Sequence, residues 1–242
     1  MKALAADNVH ETAMALLDVG KDAMIGDIPC GEGALTVRLL AAGFDNVWAA
    51  DINIEQIKIS DPRVTPIRVD LLRGVDLPDS TFDAIMCLEC IEHLENPYHL
   101  MREMARLLKP GGMLVLSTPN VLSVNARSKY LSAGYWPHFT ELMTCKSRAL
   151  QGLGFQGHIM PIPLGMLHHL AFLNGFSVEA IATNHFKRRP RWKDRFFARI
   201  IRTLSRRFLE PGPWSQITSD AVLYGDIIVV RLRRLVAETC NS

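Results

Sequence analysis

The sequence predicts an α/β fold in which a doubly wound, mostly parallel β-sheet carries helices on both faces. Two observations lead to this prediction. Short apolar runs alternate with amphipathic segments from about residue 7 to residue 120, and most of the apolar runs end at Gly, Asp or Asn. Short strands that alternate with helices form βαβ units, and these units place helices on both sides of a parallel sheet.

The predicted elements follow one another along the chain. A first helix is expected at about residues 7–18. The predicted strands are, in order, AMIGDI, NVWAADI, VTPIRVD, FDAIMCL, MLVLST, FSVEAIATN and AVLYGDIIVVRLR. The further predicted helices are ALTVRLLAAG, which ends at Gly43, then PYHLMREMARLLK, which ends before PGG, and PLGMLHHLAFLNGF.

The composition is that of an ordinary globular chain and predicts one domain over residues 1–242. Hydrophobic residues make up 48% of the 242 residues and charged residues 21%. We find no run of about 18 apolar residues and no apolar signal segment near the N-terminus, and the five cysteines are an odd number. These features predict a cytoplasmic protein. Cys87 and Cys90 form a CxxC pair without a second pair, so no metal is expected.

Residues 121–160 interrupt the alternation of strands and helices. This stretch contains scattered Gly, aromatic and His residues without a clean period. It is too long for a plain connection between two elements. We therefore expect a lid or a binding insert at about 121–160.

The segment IGDIPCGEGALT, residues 25–36, places two glycines directly after a predicted strand. A dinucleotide-binding turn has the pattern G-x-G-x-x-G and an acidic residue about 20 positions further on. Here Gly31 and Gly33 are present, Thr36 stands at the third glycine position, and Asp51 supplies the acid. The carboxylate of Asp27 would repel a pyrophosphate and attract a cation. The charge therefore favours S-adenosylmethionine (SAM), which has a sulfonium and an ammonium group, over a nicotinamide dinucleotide.

Five segments in order resemble the serial motifs of class I SAM-dependent methyltransferases. They are DIPCGEG, AADI, VDLL, FDAIMCLECIEHLENP and LLKPGGMLVLSTPN, and together they cover about residues 22–120. The resemblance implies a Rossmann-like fold whose seven-stranded sheet has an antiparallel last strand. It also implies SAM as the cofactor, S-adenosylhomocysteine as the product and no metal. Pro29 departs from the family pattern, which more often has a small flexible residue at this position.

The resemblance implies roles for residues of the first motif and of the fourth strand. Asp27, Gly31 and Gly33 would lie under the methionine part of the cofactor, and the backbone of Cys30 would face it. The end of the fourth strand would lie where the methyl group meets the substrate. The residues concerned there are Leu88 and Glu89.

The resemblance implies further roles for the residues that end the second and third strands. Asp51 would hold both ribose hydroxyls, a bidentate contact suited to a carboxylate, and Ile52 would flank the adenine. Asp70 and Leu71 would recognise the adenine. A simpler interpretation of both acids stays open, because Asp often ends a strand and begins a turn.

Methyl transfer from a sulfonium is an in-line displacement, and a hydroxyl acceptor benefits from a general base. Histidine titrates near neutral pH, so His93 in the segment IEHLEN is the first candidate base. The Glu-His pair at this position often supports structure in the family, which is the alternative interpretation. His138 and His158 are further candidates, because they lie in the insert, near where such enzymes build their acceptor pockets.

The acceptor is predicted from a looser resemblance. The segments STPNVLSV and GHIMPIPLGMLHHLAFLNGF are similar to methyltransferase domains of bacterial surface-glycan and glycolipid pathways. This similarity implies a hydroxyl of a glycan-type or other small-molecule acceptor. The aromatic residues of the insert either line the acceptor pocket or pack the insert onto the sheet; they are Tyr130, Tyr135, Trp136 and Phe139.

Residues 186–208 are basic, with ten Lys or Arg and one Asp, although the net charge of the whole chain is only +2. Apolar residues recur every four positions on the predicted helix at about 190–208: Trp192, Phe196, Ile200, Leu204 and Phe208. Such a helix can lie at the inner face of an anionic membrane. Alternatively, its apolar stripe packs on the sheet. Nucleic acid is not an expected partner, because the aromatic residues lie on the stripe and not among the basic residues.

The sequence therefore predicts a SAM-dependent methyltransferase that methylates an oxygen of a small-molecule or glycan acceptor. Two alternatives stay open. One is a NAD(P)-dependent oxidoreductase, which Asp27 and Thr36 disfavour. The other is a catalytically silent methyltransferase-like protein that binds a membrane.

Overall fold

The computed structural model describes residues 7–140, 157–184, 190–208 and 213–236. Seven strands form one sheet in the order β3-β2-β1-β4-β5-β7-β6. Strands β1 to β5 pair in parallel, and β7 is antiparallel to both of its neighbours. The strands are β1 Met24–Asp27, β2 Asn46–Asp51, β3 Val64–Arg68, β4 Phe82–Cys87, β5 Leu108–Pro119, β6 Phe176–Thr183 and β7 Ile227–Arg234. The predicted doubly wound sheet and its antiparallel last strand are confirmed.

Alternate residues of the central strands point to opposite faces of the sheet, and each face has its own apolar layer. On one face, Ala84 and Met86 of β4 pack with α1 Asp7–Leu16 and α2 Ala34–Ala41. On the other face, Ile85 and Cys87 pack with α3 Pro97–Leu107 and α5 Leu164–Leu173. The remaining helices are α4 Val124–Ala133, α6 Trp192–Phe208 and α7 Asp220–Tyr224.

The strand order reverses between β1 and β4, which are neighbours in the sheet. From β1 the chain proceeds outwards to β3, and from β4 it proceeds in the opposite direction. Helices therefore leave the carboxyl ends of β1 and β4 on opposite faces and open a crevice between them. In open α/β sheets this reversal point is where ligands bind.

Three elements differ from the sequence prediction. The stretch 121–160 contains helix α4, Val124–Ala133. The hydroxyl of Ser123 caps its start by accepting the Ala126 N–H, and Gly134 follows its last residue. The segment AVLY, predicted as strand, forms helix α7 behind the cap residue Ser219. Strand β5 begins at Leu108 and includes the PGG segment, because Leu108 already pairs with Phe82 across a register shift. Residues 141–156 of the predicted insert lie outside the described residues.

Candidate functional site

The glycine turn follows β1 at the point where the strand order reverses. The Ile28–Pro29 peptide bond is cis, and Gly31 and Gly33 have φ angles of 55° and 90°. A Cβ atom at Gly33 would also collide with the side chain of Ile59. Two positive φ angles and this close approach explain why glycine occupies these positions.

Asp27, the last residue of β1, presents its carboxyl group inside this turn. The side chain is only 2% exposed, and the Thr36 hydroxyl of α2 donates a hydrogen bond of 2.6 Å to its Oδ2. Burial raises the pKa of Asp27 to about 7, against the lowering effect of Thr36. A buried carboxyl group with this pKa gains much from a nearby cation, because a cation replaces the solvation that burial removes.

Asp51, the last residue of β2, stands beside the turn and is also buried. Its Oδ2 accepts the Gly31 N–H at 2.9 Å. Its Oδ1 accepts the Asn53 N–H at 3.0 Å and the Gln56 side-chain amide at 2.9 Å. The backbone of Cys30 binds to β2 as well, since its N–H donates to the Ala50 carbonyl at 2.9 Å. The structure thus brings the first two motifs into direct contact.

Two further predicted cofactor residues lie at the neighbouring strand ends. Ile52 is 55% exposed directly after β2. After β3, Asp70 accepts the Leu72 N–H at 3.0 Å and lies 3.3 Å from the Arg73 guanidinium. Asp51 and Asp70 thus each accept the N–H two residues further on, which is the turn contact of their simpler interpretation, and Leu71 beside Asp70 is half-buried.

The end of β4 contributes Leu88, which is buried, and Glu89, whose φ angle is 49°. Glu89 and Ser117 of β5 bind each other: the Glu89 N–H donates to the Ser117 hydroxyl at 2.9 Å, and that hydroxyl donates to Glu89 Oε1 at 2.8 Å. Burial raises the pKa of Glu89 to about 7, although Ser117 and the neighbouring His138 lower it. Two hydrogen bonds with Ser117 therefore hold Glu89 in position at the end of β4.

The structure brings the three histidines predicted as candidate bases into one cluster. The rings of His93 and His158 meet edge to face with centroids 4.7 Å apart. His158 Nδ1 lies 2.6 Å from the His138 carbonyl oxygen, and His138 Nε2 lies 3.0 Å from Asp226 Oδ1. Asp226 precedes β7, so the cluster connects the end of β4, the insert and the last strand.

Aromatic rings of the insert continue this cluster in one row. Phe139 lies 5.4 Å from His158, Trp136 lies 6.4 Å from Phe139, and Tyr130 stacks on Trp136 at 4.3 Å between centroids. Tyr130 is 49% exposed, so the row runs from solvent to the histidines. The rings thus pack against one another and against His158.

Charges link the glycine turn to the histidine cluster. The pKa of the Cys90 thiol is raised well above its ordinary value by its hydrogen bond with Cys87, by burial and by charges that include Asp51. Glu92, in turn, has its pKa raised by burial and by Glu89. Charged groups of the glycine turn and of the end of β4 therefore influence one another's pKa values at the carboxyl edge of the sheet.

Sequence reasoning missed several residues of this site. Thr36 was noted only as a missing glycine, yet it binds Asp27. Gln56, Ser117 and Asp226 each contact a predicted site residue through their side chains. Asp226 carried a weak signal, because an acid directly before the strand IIVV stands at the same sheet edge as Asp27 and Asp51.

The apolar stripe of α6 is exposed. Trp192 is 75%, Phe196 57% and Leu204 51% exposed, whereas Ala198 on the opposite side of the helix is buried. The alternative that this stripe packs on the sheet is therefore wrong for these residues. Among the described residues, no helix is both long and apolar enough to span a membrane.

Comparison with known proteins identifies relatives of the chain. The sequence profile of a methyltransferase domain family matches residues 1–181. The ubiquinone biosynthesis O-methyltransferase of Xanthomonas oryzae pv. oryzae is 36% identical over 106 residues, which are 40% of this chain and 44% of that protein. The 27-O-demethylrifamycin SV methyltransferase of Amycolatopsis mediterranei is 32% identical over 98 residues, 37% of this chain and 36% of that protein. The match thus spans less than half the length of these curated relatives.

Solved structures share the fold over nearly the whole chain. A SAM-dependent methyltransferase from Mesorhizobium loti has a TM-score of 0.56 and 16% identity, with 93% of this chain and 96% of that chain covered. The cyclase SpnF has a TM-score of 0.61 and 18% identity, with coverage of 96% and 82%. At these identities the likeness shows the fold alone.

Proposed function

Because the chain belongs to the methyltransferase domain family, we propose that it transfers a methyl group from SAM to the oxygen of a small-molecule hydroxyl. SAM supplies an electrophilic methyl group on a positively charged sulfur. The observation that carries the proposal is the buried Asp27 carboxyl group beside a turn built on two glycines with positive φ angles. This site suits a ligand with a cationic end and a close backbone approach.

The adjoining residues suit the rest of the cofactor. Asp51 holds the ribose hydroxyls; Gly31, Asn53 and Gln56 orient its carboxylate. The Gln56 side-chain amide already donates to Asp51 Oδ1. When a ribose hydroxyl binds there, the Gln56 side chain moves aside or shares that oxygen. The exposed Ile52 packs against the adenine. Asp70 and Leu71 recognise its edge, and Cys30, Gly33, Leu88 and Glu89 complete the contact surface.

The histidine cluster receives the acceptor. One of the two candidate bases, His93 or His158, accepts the single proton that the hydroxyl loses as its oxygen attacks the methyl group. His138 positions His158 through its backbone carbonyl, and Asp226 anchors the ring of His138. The aromatic row from Tyr130 to Phe139 aligns the acceptor, which is the main source of acceleration in an in-line displacement.

A glycan or glycolipid acceptor stays a prediction from the sequence. The two curated relatives are named for ubiquinone biosynthesis and for rifamycin methylation, and we extend their O-methyltransferase activity to this chain as part of the proposal. An oxidoreductase is the weaker alternative, because a carboxylate at Asp27 repels a pyrophosphate at the same turn.

The experiment is a transfer assay with methyl-labelled SAM. The acceptors are two panels, one of hydroxylated phenols and one of sugar lipids with free hydroxyls. We expect label in a hydroxyl compound together with formation of S-adenosylhomocysteine. In His158→Gln we expect a kcat at least about tenfold lower with SAM binding unchanged. Tight SAM binding without transfer to either panel would instead favour the catalytically silent alternative.

We further propose that α6 contacts an anionic membrane surface. Its exposed stripe of Trp192, Phe196 and Leu204 lies among exposed basic residues that include Arg195 and Arg199. Apolar side chains can enter the lipid boundary while the basic residues bind the headgroups.

Vesicle sedimentation tests this contact. We expect binding to phosphatidylglycerol vesicles that weakens with salt and is lost in the double variant W192S/F196S. Phe172→Ser is the matched control, since Phe172 is 76% exposed on α5, and it should leave binding unchanged. Equal sedimentation of the wild type, W192S/F196S and Phe172→Ser would contradict the membrane proposal. A wild-type dimer that dissociates only in W192S/F196S would also contradict it, because the stripe would then be a contact between two copies of the chain.

A further inference from the structure

Glu92, His93 and His158 bring three metal-ligating groups together at the carboxyl edge of the sheet. One carboxylate oxygen and one nitrogen from each ring all lie within 4.8 Å of one another. Ligand atoms bound at about 2.1 Å to a common transition-metal ion stand about 3 to 3.5 Å apart. Small rotations of the side chains therefore close this set around one ion.

The carboxyl group of Glu92 is the observation that points to a ligand. Its side chain is 0% exposed, and neither oxygen has a hydrogen-bond partner in the described part of the chain. The backbone of Glu92 and the Thr118 hydroxyl lie near enough to lower its pKa in part, but neither makes a hydrogen bond of acceptable geometry to the carboxylate. A buried carboxyl group in this condition is costly, and a cation at coordination distance removes the cost.

The two imidazoles are oriented as metal ligands usually are. His158 Nδ1 lies 2.6 Å from the His138 carbonyl oxygen, and His93 Nδ1 lies 3.4 Å from the Gly157 carbonyl oxygen. A carbonyl can only accept, so the short contact of His158 favours the tautomer with its proton on Nδ1, and the longer contact of His93 is compatible with the same arrangement. A backbone carbonyl that fixes the tautomer in this way is the usual support of a metal-bound histidine.

We propose that Glu92, His93 and His158 bind one divalent transition-metal ion, with a coordination position left open. Two imidazoles and one carboxylate are a set typical of Zn²⁺ and related ions, and Mg²⁺ prefers oxygen ligands. The family implies no metal, so the inference goes beyond the comparisons.

The role of the ion rests on the proposed function. An acceptor hydroxyl in the open position would lose its proton more readily, because a bound cation lowers the pKa of a coordinated oxygen. With the ion bound, His93 and His158 would act as ligands in place of the proton acceptors proposed above, and the coordinated hydroxyl would release its proton to solvent. Metal binding itself can be measured without any acceptor.

The test uses the full chain, stripped with a chelator and titrated with Co²⁺ and then with Zn²⁺. We expect one Co²⁺ per chain with visible d–d absorption and without a thiolate charge-transfer band, displaced by Zn²⁺ and not by Mg²⁺. Glu92→Gln and His158→Gln should each weaken binding by more than about tenfold. His169→Gln is the control, since His169 is exposed on α5 and should bind as the wild type does.

Thermal unfolding separates a metal ligand from a merely structural residue. Zn²⁺ should raise the Tm of the wild type and of His169→Gln, and should leave the Tm of Glu92→Gln unchanged. His158→Gln gives the same readout if Glu92→Gln does not fold. Equal metal binding in all variants, or a thiolate band from Cys87 and Cys90, would overturn the proposal. A protein that methylates its acceptor but takes up no metal would overturn only this inference, and one that binds metal but not SAM would overturn only the proposed function.

Discussion

Replacing Asp27 by Asn should raise the free energy of unfolding and lower the affinity for SAM. The folded chain holds the pKa of Asp27 at about 7, against 3.8 ordinarily, chiefly because the side chain is buried. Between pH 4 and pH 7 the folded state therefore binds more protons than the unfolded chain, and stability falls as pH rises through this window. Three pKa units correspond to about 4 kcal/mol, which is an upper bound on the cost at pH 8.

The amide introduced by Asp27→Asn would keep an oxygen acceptor for Thr36 and would carry no charge, so D27N escapes this cost. Without cofactor, we expect D27N to be about 2 to 4 kcal/mol more stable than the wild type at pH 8 by urea unfolding. The difference should shrink towards pH 5. A variant less stable than the wild type at pH 8 would show that the carboxylate is well solvated or paired, and the argument from burial would fail.

Cofactor binding should depend on pH in the opposite way. With a pKa of about 7, Asp27 is about 3% ionised at pH 5.5 and about 76% ionised at pH 7.5. If only the ionised form binds the cationic end of SAM, affinity rises about 25-fold between these pH values. Binding then releases close to one proton per SAM at pH 5.5 and only about a quarter of a proton at pH 7.5. Calorimetry in two buffers of different ionisation enthalpy measures both quantities. D27N should bind weakly without this slope, and a wild-type affinity that stays flat with pH would refute the assignment.

Two further predictions concern the same turn and are checked by urea unfolding and SAM titration. Thr36→Val removes the hydrogen bond that lowers the Asp27 pKa, so it should weaken SAM binding at pH 7 several-fold and cost about 1 kcal/mol of stability; binding equal to wild type would contradict the role of Thr36. Gly33→Ala should lower the free energy of unfolding by about 2 to 3 kcal/mol, because the cost of the positive φ angle and the cost of the collision with Ile59 are summed. Its control, Gly43→Ala, has a φ angle of 85° with no heavy atom within 4 Å of the added Cβ, and should cost only about 1 kcal/mol; equal losses would show that the turn has room.

The sequence predicts the sheet well because each strand is a short apolar run that can be recognised without knowledge of its partners in the sheet. Runs such as NVWAADI and FDAIMCL are apolar and end at turns, so neighbouring residues alone define strands β2 and β4. The glycine turn and Asp51 are predictable for the same reason, since their spacing is short. The boundaries of β5 and α7 are not, because pairing with Phe82 and the cap at Ser219 decide them.

The histidine cluster shows what sequence alone does not reach. His138 and Asp226 are 88 residues apart, and only the antiparallel return of β7 brings them together. The burial of Glu92 likewise depends on packing between β5 and the segment at 157–160, whose N–H groups at Ile159 and Met160 bind its carbonyl oxygen. Sequence reasoning nominated His93, His138 and His158 separately, and the assignment of their chemical roles stays a prediction.

Titration of the purified chain with SAM and with NADH tests the central claim most directly. The account predicts that SAM and S-adenosylhomocysteine bind at one site per chain, that NADH does not compete, and that Asp51→Ala abolishes binding while the protein stays folded. Tight binding of NADH without binding of SAM would contradict it.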